Sequence, residues 1–214
     1  MADNYLEKRY EEVFGRDAGG RKAAPARPSL DTLLLRNRSF RGYDKTYVVH
    51  RRQLDAMIAV NPRVASSINL QRLRFRPVVK GPEADAVNAH IRMGRGLPEL
   101  HLPFPGTEPE AFIVVCSTAP ENPGIDIDLG ISMQSMLLKA VELGLGGLMI
   151  RNFDREPIRE ALKLPYEPIA VVAVGKPAER IELVPVHEGD SLGYYREDGV
   201  HYVPKLTAED LTLF

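Results

Sequence analysis

Two uninterrupted apolar runs and one long apolar-rich stretch organise this chain. Ala111–Cys116 (Ala-Phe-Ile-Val-Val-Cys) and Ile169–Val174 (Ile-Ala-Val-Val-Ala-Val) contain no charged or amide position, the pattern of strands covered on both faces. Ile127–Leu143 places apolar side chains around most of a helical circumference, which predicts a central, buried helix ended by Gly144 and Gly146-Gly147. Shorter periodic segments predict further helices. One runs from Leu30 to about Asn37, N-capped by Ser29 and anchored in the core by Leu33, Leu34 and Leu35. Others cover Arg51–Val60, residues 83–92, and the stretch from a capping Asp154 to Leu162. Arg74–Val79 reads as a strand that Pro77 confines to an edge or a bulge, and His201–Lys205 as a last short strand. The segment Met93–Pro109 holds four prolines and three glycines, so it is a long surface loop, either a cover over a binding site or a plain connector. Residues 3–15 show helical spacing of Tyr5, Leu6, Tyr10, Val13 and Phe14, and residues 16–29 are linker-like. The expectation is a helical arm and linker over residues 1–28 and a folded α+β domain over 29–214, built on one sheet.

Composition narrows the function classes. The 214 residues carry 28 Lys+Arg against 29 Asp+Glu, a net charge of −1 that disfavours a general nucleic-acid binder. A single cysteine excludes a disulfide framework and multi-cysteine metal sites. No apolar run approaches the roughly 20 residues of a membrane span. The charged first fifteen residues hold no signal-peptide core, so a soluble, cytoplasmic protein is expected. Phosphate-loop, dinucleotide-fold, zinc-protease and serine-hydrolase motifs are missing from the chain. The five histidines (50, 90, 101, 187 and 201) have no metal-ligand spacing and read as surface or boundary residues. Cys116, inside an apolar strand, reads as an inert packing group.

Three clusters carry chemistry. Residues 36–52 contain Arg36, Arg38, Arg41, Lys45, Arg51 and Arg52 against Asp44 alone. Guanidinium forks at Arg38 and Arg41, beside the Ser39 hydroxyl and just past a helix end, suit a phosphate, although a solvated basic turn would look alike. Ser66-Ser67-Ile68-Asn69-Leu70-Gln71 alternates small hydroxyls and amides with apolar residues, an edge able to read a heteroaromatic ring or simply to cap a helix. Gly144–Asp154 combines three glycines with Met149-Ile150-Arg151-Asn152. Its glycines admit either close approach to a ligand or a tight exit from a helix.

In order and spacing these segments resemble the FMN-dependent nitroreductase and flavin-reductase-like family, over roughly Leu30 to Lys205. The likeness rests on Arg38-Ser39-Phe40-Arg41, Ser67-Ile68-Asn69-Leu70-Gln71 and Asp128-Leu129-Gly130-Ile131. It continues in Glu142–Gly147, Asn152-Phe153-Asp154, Val174–Pro177 and Val203-Pro204-Lys205. The resemblance implies a mixed sheet flanked by helices and a homodimer with FMN at the subunit interface. Arg38, Ser39 and Lys205 would then hold the phosphate and ribityl end, with Arg41 near the flavin N1–O2 edge. Ser67 would reach the partner's site, and Asn69 and Gln71 would contact ring or ribityl chain. Met149, Ile150, Arg151 and Asn152 would run beside the ring, with a backbone N–H near Asn152 facing N5. No catalytic side chain is then required, because hydride passes from NADH or NADPH through flavin N5, in ping-pong fashion, to a small nitroaromatic or quinone-like acceptor. Asn37, Arg72-Leu73, Arg151 and Leu206 depart from the family pattern. They leave open a flavin carrier or sensor without turnover, or a specialised member of dehalogenase or flavin-fragmenting type.

Overall fold

A computed structural model describes residues 28–94 and 96–213; the helix expected at residues 3–15, with most of the linker, lies outside the described residues. The core is a four-stranded antiparallel sheet in the order β1 (Leu73–Val78), β2 (Ala111–Ser117), β4 (Glu167–Gly175), β3 (Gly146–Ile150). The two apolar runs became its central strands, which explains their lack of polar positions. Pro77 sits in the edge strand β1, where a missing N–H costs no ladder bond.

Strand alternation divides the interior into two layers. Ile113, Val115, Val172 and Val174 face α4 (Pro123–Glu142) and α2 (Arg51–Ile58), meeting Met133, Met136, Leu54 and Met57. Phe112, Val114, Val171 and Ala173 face α3 (Pro82–His90) and α5 (Arg155–Ala161). The central helix α4 begins four residues before the expected Ile127. Asn122 caps it by accepting from the Gly124 and Ile125 amides at 3.0 and 3.2 Å, and Pro123 takes the first turn, where it lacks no useful donor. Ile127 is 60% exposed, so the helix buries one broad face rather than its full circumference.

Three further expectations are corrected. Helix α1 (Leu30–Arg36) forms with Ser29 as its cap, but none of its leucines is buried; it lies on the surface and Leu34 borders a cleft. The Asp154 carboxylate makes no helix cap. It pairs with both terminal nitrogens of Arg92 at 2.9 and 2.8 Å, a charge-assisted fork stronger than a single capping bond. The single expected sheet is two: after Pro177, β5 (Arg180–Val186), β6 (Tyr195–Glu197) and β7 (Val200–Leu206) form a second sheet in the order β5-β7-β6. Strands β5 and β7 are parallel, while β6 and β7 form a hairpin whose turn residues Asp198 and Gly199 both have positive φ. Among the described residues the Met93–Pro109 loop keeps its irregular course apart from one short helical turn at Pro98–Leu100.

Candidate functional site

The arginine motif is positioned by what it packs against. After α1 ends at Asn37, the chain runs extended beside β3, so that Ser39 bridges Gly147 and the Phe40 amide donates to the Gly147 carbonyl at 3.1 Å. Glycine is obligatory there. A Cβ on Gly146 would lie 2.4 Å from the Phe40 ring, and one on Gly147 would lie 2.4 Å from the Ala173 carbonyl. These glycines thus admit protein backbone and side chain, while Gly144, at φ +72, makes the left-handed exit from α4.

Arg38 folds back over the end of α1, donating from Nε to the Leu35 carbonyl at 3.0 Å and from Nη2 to that of Leu34. It thereby complements the negative end of the helix while still bordering the cleft. Burial draws its pKa down from the usual arginine value. Arg41 donates from Nη1 to the Ser39 carbonyl at 3.1 Å, and its guanidinium lies over the Tyr194 ring at 5.6 Å. The backbone behind it is clamped: Glu179 Oε1 accepts from the amides of Arg41 and Gly42, and Glu179 Oε2 accepts from Arg196 Nη2. Arg196 stacks on Phe104 of the long loop at 5.2 Å. Tyr43, buried, donates its hydroxyl to the Phe40 carbonyl at 2.7 Å.

The inner face of the second sheet closes over this motif and leaves a cleft of about 520 Å³. Arg38, Ser39 and Arg41 line one wall, Met149 and Gln134 the floor, and His201, Val203 and Lys205 of β7 the other wall. Among the described residues three cationic side chains and no carboxylate line it, so its field favours an anion such as a phosphate. Asn37 and Gln134, linked Nδ2 to Oε1 at 3.4 Å, add amide donors and acceptors. His201 corrects the reading of the histidines as surface residues: it is 2% exposed. Burial, with Arg41 and Arg196 nearby, pushes its pKa down to about 4, so it is neutral at neutral pH. Sequence reasoning missed His201, Gln134 and Tyr194, although alternation along the predicted last strand already puts His201 on the same side as Lys205.

Of the remaining expected residues, only Met149 shares the cleft. Met149 borders the cleft, whereas the Ile150 side chain is in the core on the opposite face of the sheet. Arg151 turns to Glu121 and Asp126, pairing with Asp126 at 2.6 Å, and the Asn152 carbonyl accepts from the Arg92 amide at 3.0 Å. Ser67, Asn69 and Gln71 do not reach this cleft within one chain. The Ser67 amide donates to Asp128 Oδ1 at 2.6 Å and its hydroxyl to the Gly124 carbonyl at 3.1 Å, which ties the segment to the start of α4. Ile68, Asn69 and Gln71 all have positive φ (43°, 57° and 47°), a strained course that leaves Ile68 88% exposed. Among the described residues no cluster of three His, Cys, Asp or Glu side chains is placed to hold a metal, and no helix is long and apolar enough to cross a membrane.

Comparison with known proteins identifies the family and the fold. A model described as "Nitroreductase family" matches residues 34–176. Among solved structures, the FMN- and NADPH-dependent nitroreductase NfnB from Sphigopyxis sp. strain HMH is similar to the chain at 19% identity and a TM-score of 0.58, over 71% of this chain and 89% of that one. An FMN-dependent nitroreductase from Clostridium difficile R20291 is similar at 24% identity and a TM-score of 0.55, over 69% of this chain and 87% of that one. A nitroreductase family protein from Clostridium novyi NT is similar at 21% identity and 0.56, over 70% and 87%. No curated protein matches the chain.

Proposed function

The chain belongs to the nitroreductase family, and from that premise we propose that it is an FMN-dependent oxidoreductase, taking hydride from NADH or NADPH and reducing a small electron-poor acceptor such as a nitroaromatic or a quinone. The observation that carries the reading is the cleft whose lining gathers Arg38, Ser39, Arg41 and Lys205, with no carboxylate among the described residues. That donor set fits the phosphate and polar chain of FMN. Bound flavin would supply the hydride chemistry, which fits a chain without an acid–base or nucleophilic constellation.

The residues have separable tasks in this reading. Arg38, Ser39 and Lys205 hold the phosphate as charge-assisted donors. Arg41, whose backbone is fixed by Glu179, presents a permanent cation that favours negative charge developing on the ring. The Met149–Asn152 segment runs alongside the ring. Arg151 is held away by Glu121 and Asp126, so its long side chain leaves the floor of the cleft clear. Ser67, Asn69 and Gln71 serve the site of a second copy. Their distance from this chain's own cleft and the exposed, strained Ile68 support a homodimer in which each copy completes the other's site.

An absorption spectrum of the purified protein, before and after incubation with FMN, tests the reading. The expected result is an oxidised-flavin spectrum that NADH or NADPH bleaches without air and a nitro compound restores. A preparation that takes up no flavin refutes it.

A further inference from the structure

The cleft has an end that the phosphate-holding residues leave unexplained. His201, Val203 and Lys205 of β7 share the wall turned to the cleft, and four residues of strand put His201 about 13 Å from Lys205. With a phosphate held by Arg38, Ser39 and Lys205, His201 stands at the ring end, beside Arg41. Tyr194 joins the two: its ring carries the Arg41 guanidinium on its face and meets the imidazole edge-on at 5.2 Å.

His201 Nδ1 is closed to solvent and has no hydrogen-bond partner among the described residues. Its register partner on β6 is Arg196, whose Nε is buried and unpartnered in the same way. A buried polar atom left unpaired costs about 1–3 kcal/mol, and folded proteins keep few of them. On His201, which lines the cleft, such a nitrogen marks a place for an oxygen acceptor, since imidazole donates at Nδ1 in one tautomer.

We propose that His201 is a flavin-binding residue, its Nδ1–H donating a hydrogen bond to an oxygen at the ring end of the bound flavin, alongside Arg41. This rests on the flavin reading above. A neutral imidazole suits the role, since it adds a donor without placing another cation against Arg41 and Arg196.

Full-length protein with 13C,15N-labelled histidine, titrated with FMN, riboflavin or inorganic phosphate and followed by NMR, tests the assignment. Flavin affinities of the wild type, H201Q and H201F are read in parallel from fluorescence quenching. The His201 signals, identified by their loss in H201Q, are expected to shift with FMN and with riboflavin but not with phosphate. H201F is expected to weaken both flavins about tenfold, the loss of one buried hydrogen bond, and H201Q, which keeps a donor, about threefold or less. The thermal midpoint of flavin-free H201F is expected to equal or exceed that of the wild type, because the orphaned nitrogen is gone. His201 signals unmoved by saturating FMN, a response to phosphate alone, or H201F binding both flavins as the wild type does would each overturn the proposal. If H201F fails to fold, the wild-type signals decide. Wild-type protein that binds neither flavin overturns the flavin reading and this inference together, and that failure shows without any variant.

Discussion

Glu179 and Arg196 form an ion pair behind the arginine motif, their side chains only 7% and 15% exposed. One carboxylate oxygen accepts the Arg196 guanidinium, and the other accepts the backbone amides of Arg41 and Gly42. A residue just before β5 thereby ties the second sheet to the loop that aims Arg41 into the cleft.

Glu179→Ala removes one partner of this pair and leaves a buried guanidinium and two amides without acceptors. The expected loss is about 3–5 kcal/mol of stability. Glu179→Gln keeps an oxygen for the two amides and should lose less. Chemical denaturation of both variants checks the order; equal losses would show that the pair contributes through charge alone.

Arg38→Ala and Lys205→Ala are directed at the proposed phosphate end. Each is expected to raise the FMN dissociation constant about tenfold, roughly 1.4 kcal/mol, while changing riboflavin binding little. Equal losses for the two flavins would place these side chains against the ring instead. Fluorescence titration with both ligands separates the cases.

Acid should act on stability in two windows. His201 binds its proton near pH 6.5 when unfolded but only near 4 when folded, so the unfolded state holds the extra proton between them. Stability therefore falls as pH drops from about 6.5 to 4, and H201F should flatten this slope. Asp210 behaves oppositely in origin. Hydrogen bonds from Thr207 and the Glu188 amide, with His187 adjacent, hold its carboxyl near 2 against an ordinary 3.8. Its contribution is complete above 3.8 and disappears as pH falls towards 2, a step that Asp210→Asn should abolish. Urea denaturation across pH 2–7 resolves both windows.

Ile68 carries an exposed β-branched side chain on a left-handed backbone, a costly arrangement unless a second surface receives it. Ile68→Glu is expected to convert the proposed dimer into a monomer and to lower its flavin occupancy at the same time. Sedimentation velocity with absorbance at a flavin wavelength reads both quantities. A variant that remains dimeric and yellow would remove Ile68 from the interface.

How much was legible beforehand depended on the range of the signal. Periodicity and continuous apolar runs located β2, β4 and α4, because burial on two faces, or on one broad helical face, leaves a mark every few residues. The order of Arg38-Ser39, Ser67–Gln71, Gly146-Gly147 and Lys205 along the chain pointed to the family. Strands β5 and β6 escaped notice because a half-covered strand interrupted by Pro185, and another of three residues, leave almost no pattern; only Asp198-Gly199 marked the hairpin.

Local side-chain chemistry thus determined which segments bury themselves and which residue types stand ready to grip an anion. Folding alone decided who meets whom. It brought Lys205 opposite Arg38, set Glu179 behind Arg41, enclosed His201 without a partner and kept Ser67 apart from its own chain's cleft. These are relationships between positions up to 167 residues apart in number, and no short window of sequence holds the packing that creates them.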